Sequence, residues 1–273
     1  METSHRSPLG VALAALTLLA FPLAAQDPTP AVGPDPLLPD QLDQLRDMVK
    51  DRKMEQDYQA IELIRRVVGE PAKRHPKDRD RIVDALGDVF RLGRIRPPDQ
   101  SQLYEAAADG LAEFGLDASK RLHKALEDER FDDREYRKLR SRMILALGRT
   151  ADPRYADWLL DEALRSPWNE VMAAAGAALR NYTDLPTRKL RDVVKRLISR
   201  FGEIDMEARQ LDRTDPAAPI DFGPQNARER LEVISGEWNA TLQRLTGESL
   251  HSAPEWQHWY NKNKDWLPPG RER

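Results

Sequence analysis

Three stretches of the chain repeat one apolar pattern, and that repetition restricts the fold more than any other feature. Residues 103–115, 136–148 and 168–180 align at offsets of 33 and 32 residues. Five columns stay apolar or small: Leu103/Tyr136/Trp168, Ala106/Leu139/Val171, Gly110/Met143/Ala175, Leu111/Ile144/Gly176 and Phe114/Leu147/Leu179. Within each copy they fall at i, i+3, i+7, i+8 and i+11, one face of an α-helix. A second helix follows each first one, with columns Leu122/Tyr155/Leu190, Ala125/Trp158/Val193 and Leu126/Leu159/Val194. A single helix pair cannot bury both its faces, so the copies are expected to stack on one another.

The punctuation between the helices fits. Gly115 and Gly148 suit the position after a helix C-terminus, where glycine takes the left-handed conformation without steric cost. Asp117, Asp152 and Asp184 are candidate N-caps, and Pro153 suits a first helical turn. Gly176 lies inside a run of alanines, where glycine costs about 1 kcal/mol relative to alanine. It reads as a point of close helix–helix approach.

The phrases SRMILALGRTADPRYADWLL and AAAGAALRNYTDLPTRKLRDVV resemble HEAT repeats of the short bacterial kind related to phycobilisome-lyase repeats. Ala146-Leu147-Gly148 and Asp152-Pro153 carry the match, while Glu113-Phe114-Gly115 and Ala178-Leu179-Arg180 depart from it. Tetratricopeptide repeats have a similar period but place their glycine inside the first helix. The resemblance covers about a third of the chain and implies an all-α fold, a right-handed α-α superhelix. By fold-level analogy it implies a binding scaffold, and it says almost nothing about activity.

The flanks organise around this block. Residues 1–25 read as a secretory signal, with Arg6 before the apolar run 9–23 and Ala24-Ala25 as a small-residue cleavage site. The rival reading is an uncleaved anchor, although the run is short for a span of about 20 residues. No cysteine follows it, so a lipoprotein anchor is excluded. Residues 26–40 form a proline-rich linker, 41–97 an N-terminal helical cap and 98–202 the repeats. Residues 203–224 form a second linker, and 225–273 a C-terminal helical extension. In the cap, the stripes Leu42/Leu45/Met48/Val49 and Tyr58/Ile61/Ile64/Val67/Val68 slip phase across 51–53, as two helices or one bent helix. In the extension, WNATLQRLTG followed by a W-x-x-W pair resembles a segment of secreted bacterial HEAT-repeat proteins.

Chemistry is hard to place. No two of the five histidines stand three or four residues apart, and no cysteine is present. That leaves no clustered metal ligands and no cofactor. Ser235-Gly236 lacks the preceding glycine of a nucleophile elbow, and no phosphate-cradling glycine motif occurs. Glu248-Ser249 resembles the catalytic pair of lytic transglycosylases, but the other motifs of that family are missing. A net charge of −3 with 33% charged residues excludes the basic excess of a nucleic-acid binder.

Two surfaces are candidates. Arg188, Arg191 and Lys195 form one flank of a helix, opposite Lys189, Arg196 and Arg200. Such a ridge suits an acidic protein, an anionic polymer or a membrane surface. Trp256, Trp259 and Tyr260 share one face at i, i+3 and i+4, either sealing the repeat block or stacking on an envelope glycan. The expectation is therefore an exported, non-enzymatic scaffold in the periplasm or outside the cell, binding an unidentified protein partner. A glycan-binding module is the alternative, and a hydrolase of unrecognised type the third reading.

Overall fold

A computed structural model describes residues 33–210 and 223–271. Among the described residues there are eleven α-helices and no strand. They are α1 (Leu38–Val49), α2 (Asp57–Val68), α3 (Pro76–Arg91), α4 (Gln102–Ala112), α5 (Leu116–Leu126) and α6 (Arg137–Arg149). There follow α7 (Ala156–Arg165), α8 (Asn169–Ala178), α9 (Thr187–Ala208), α10 (Gly223–Thr246) and α11 (Ala253–Lys262). The signal expected over 1–25 and the central part of the expected second linker lie outside the described residues.

The repeat columns become the core. All first-helix column residues are buried except Ala106, Tyr136 and Trp168, which are half-buried and pack against the same core. The even-numbered helices form one succession, with α2 on α4, α4 on α6, α6 on α8 and α8 on α10. The odd-numbered helices run beside them: α1 packs on α3, α3 on α5, α7 on α9 and α9 on α11.

Glycine sets the spacing of the even-numbered helices. A Cβ on Gly110 would stand 2.9 Å from Val68 Cγ2, and one on Gly148 only 2.7 Å from Ala178 Cα. At Gly176 it would fall within the Trp238 ring of α10, so the close approach expected there is present. Trp238 is fully buried; its indole N–H donates to the Met172 carbonyl at 3.2 Å, and Thr241 donates to the Gly176 carbonyl at 2.9 Å.

Several boundaries differ from expectation. Gly115 does take a left-handed φ of 57°, but Gly148 lies inside α6, and Ala151 (φ 50°) makes that turn instead. Gly148 is needed for the contact with Ala178, not for a turn. Asp152 caps the 3-10 turn Pro153–Tyr155 by accepting from Arg154 N at 3.0 Å. Asp117 instead sits in the first turn of α5 and pairs with Arg79, and Asp184 is exposed three residues before α9. The phase slip at 51–53 separates two helices, with Met54 at φ 60° between them. Helix α1 starts at Leu38, inside the expected linker, with a proline in its first turn. Helix α9 continues through Gly202 to Ala208, because Phe201, Ile204 and Ala208 prolong the buried stripe.

One buried cation ties the cap to the repeats. Arg96 is fully buried, and its guanidinium donates to both Asp57 carboxylate oxygens (2.8 and 3.1 Å) and to the Val49 carbonyl (2.9 Å). Its backbone N–H donates to the Tyr104 hydroxyl, and its carbonyl accepts from the Tyr136 hydroxyl at 2.8 Å. Such a group is tolerated only when its hydrogen-bonding capacity is met, and here Val49, Asp57, Tyr104 and Tyr136, from four separate elements, meet it.

Candidate functional site

The two expected surfaces are one. On α9 the apolar stripe faces inward, and two flanks of cations border the outer line of the helix. Toward α7, Lys189 pairs with Asp157 and Arg196 with Asp161 at 3.1 Å, while Arg200 pairs with Glu203 at 3.0 Å. On the other flank Arg191 is spent inside the fold. Its guanidinium donates to the carbonyls of Trp266 (2.7 Å) and Asp265 (2.6 Å), clasping the C-terminal tail. Arg188 and Lys195 are exposed and make no ion pair among the described residues. Lys262 and Lys264, also exposed, flank the tail held by Arg191.

The tail is pre-ordered by its own residues. Ser252 and Glu255 make a capping box at the start of α11. Hydrogen bonds from the His251 backbone and the Ser252 residue hold the Glu255 carboxyl below its ordinary value. Trp256 is 0% exposed, and its indole N–H donates to Asn239 Oδ1 at 2.8 Å. Trp259 meets Trp256 edge-on at 5.9 Å and Trp266 at 5.8 Å. Trp256 therefore offers no face to a sugar; Trp259 and Tyr260, both half-buried, keep some ring surface.

Where α11 starts across α9, the pairing leaves a groove of about 550 Å³. Ser199, Gly202 and Met206 line one side, with Ala253, Pro254 and Gln257 on the other. The missing side chain of Gly202 opens the floor, and Met206 is 66% exposed beside it. The neighbouring acids are engaged, Glu203 with Arg200 and Asp205 with Arg209 at 2.8 Å. Lys195 and Arg188 lie on the same face of α9, N-terminal to this groove. The union of ridge and tail was not visible in the sequence, because Arg191 and its acceptors are 74 and 75 residues apart.

A second depression of about 460 Å³ lies over α2, α4 and α6, floored by Ile61, Val68 and Ala106. Its rim is already neutralised, with Asp109 accepting from Arg142 (2.7 Å) and Arg149 (3.1 Å). Glu248 and Ser249 are exposed in the segment after Gly247. Among the described residues, no group of three or more histidine or carboxylate side chains could hold a metal ion, and no helix is long and apolar enough to cross a membrane. The chain matches no family model, no curated protein and no solved structure; what is shown is an all-helical fold of eleven α-helices among the described residues.

Proposed function

We propose that this chain is an exported scaffold, a HEAT-like right-handed α-solenoid that binds another protein through the face of its second helices. What supports the stacked-repeat reading is that polar contacts recur at the period of the apolar columns. Arg142 reaches Asp109 across 33 residues, Arg137 reaches Glu170 across 33, and Ser119 reaches Asp152 across 33. Lys189 reaches Asp157 across 32, and Arg196 reaches Asp161 across 35. Asp109/Arg142, Ser119/Asp152 and Asp161/Arg196 are equivalent positions of successive pairs, while Glu170 and Asp157 lie one and three residues from the equivalents of Arg137 and Lys189. Such contacts are expected when each unit contacts chiefly its neighbours.

The observation that carries the binding role is the asymmetry of α9. Every cation on its α7 flank has an acidic partner, whereas Arg188 and Lys195 stand open beside a tail already ordered by tryptophan packing. Ordering the tail in advance removes part of the entropic cost of association. Fold-level likeness alone would be a weak warrant for function; the open cations add a specific surface to it. A glycan reading would rest on Trp259 and Tyr260 without Trp256.

Photo-crosslinking in the native cell envelope tests the proposal. A crosslinking residue is placed on a second helix of the otherwise intact chain, at position 188 or 195 of α9, 124 of α5 or 165 of α7. Discrete protein adducts from at least one position are expected. Absence of protein adducts from all four, or capture of glycan alone, contradicts the scaffold reading.

A further inference from the structure

We infer that the outer face of α9 receives a short segment of a partner protein that carries an apolar anchor followed by acidic residues. This deepens the scaffold reading and rests on it. The face has two unlike ends. At one end, Gly202 and Met206 of α9 and Ala253 and Pro254 of α11 make the apolar part of a recess that Ser199, Gln257 and the ion-paired Glu203 and Asp205 also line. At the other end stand Arg188 and Lys195, one helical face apart from the paired cations.

From Arg188 to Met206 is 18 residues of one helix, about 27 Å at 1.5 Å per residue. An extended segment of about eight residues covers that length. An apolar side chain seated over Gly202 would shield the exposed Met206. Carboxylates about three and about six residues further along would then meet Lys195 and Arg188 respectively. A flat anionic surface such as a lipid bilayer fits less well. The cations form a narrow line bordered by Asp192, and the apolar part is a recess rather than an exposed helix face. A basic or purely apolar segment would leave both cations unpaired.

Selection of random peptides on the full-length chain reads this out directly. Recovered peptides are expected to share an apolar residue followed by acidic ones. Their affinity should fall about 10-fold for Arg188→Glu combined with Lys195→Glu, chiefly through slower association, most marked at low salt. A similar fall is expected for Met206→Asp, and for Gly202→Leu, which fills the recess. Arg65→Glu, on α2, should change nothing. Helicity measured on each variant separates a lost site from a lost fold. Peptides without the pattern overturn the inference. So does affinity indifferent to both groups of variants, or binding to vesicles of anionic phospholipid with no peptide recovered. If crosslinking then captures a protein only from position 124 or 165, the scaffold reading survives and this site does not.

Discussion

The even-numbered helices and the odd-numbered helices solve the same stacking problem by different physics. Between α4, α6, α8 and α10 the contacts are steric: Gly148 admits Ala178, and Gly176 admits the whole Trp238 ring. Ion pairs such as Arg142–Asp109 lie over these contacts but do not set their distance. Between the odd-numbered helices the bridges are polar or aromatic. Arg79 and Arg121 of α3 and α5 reach Asp117 and Asp84, and Lys189 of α9 reaches Asp157. His123 of α5 stacks on Tyr155 at 4.5 Å and meets Trp158 of α7 at 5.1 Å. Close-packed interiors tolerate little change in volume, whereas solvent-facing ion pairs contribute little each. The even-numbered row should therefore behave as the rigid part of the protein, and the odd-numbered row as the adjustable one.

The largest effect should come from removing the Trp238 ring. Trp238→Ala empties a fully buried site and is expected to cost about 3–5 kcal/mol, read as a lower denaturant midpoint. A cost below 1 kcal/mol would break the contrast. Next, Gly148→Leu should destabilise by about 2–3 kcal/mol through overpacking against Ala178, again measured by chemical unfolding.

Acid should act on the odd-numbered row through Asp152. Asp152 is buried, and hydrogen bonds from Arg154 and then Ser119 hold its pKa down to about 2. A carboxylate with a depressed folded-state pKa contributes stability that is present above its unfolded pKa and is lost as pH falls through the folded one. The loss should thus develop between about pH 4 and pH 2. It should be about 1 kcal/mol, reduced because Arg154 is mostly exposed. In Asp152→Asn this component of the acid dependence should be missing. The smallest effect is expected for Arg121→Ala, below about 1 kcal/mol, because both partners of its ion pair with Asp84 are largely exposed. A larger cost there would show that the odd-numbered row also depends on individual bridges.

Much of the even-numbered row was legible in the sequence, since a helical face repeated at 33 and 32 residues declares which residues must be covered. Gly176 was legible for a related reason: glycine in a helix interior is costly unless something occupies the vacated space. Gly148 was misread as a turn residue because local sequence does not show that α8 crosses there. The extent of α9 was misread because loosened apolar spacing past Phe201 conceals Ile204 and Ala208, which still reach the core. The candidate site was only half legible. The cation ridge and the tryptophan tail were each visible, but their union depends on Arg191 reaching carbonyls far along the chain. Carbonyl acceptors leave no mark in side-chain patterning.

The account stands or falls on whether the helix pairs are exchangeable units stacked at one period. Excising residues 116–148 removes one period and joins Gly115 to Arg149, keeping every remaining column in phase. A stacked-repeat protein should accept this, because each unit mainly contacts its neighbours. Thermal unfolding followed by circular dichroism should show a helical, cooperatively melting protein, less stable than the parent and with helicity reduced in proportion to length. Loss of the cooperative transition, with helicity collapsing well beyond the residues removed, would contradict it.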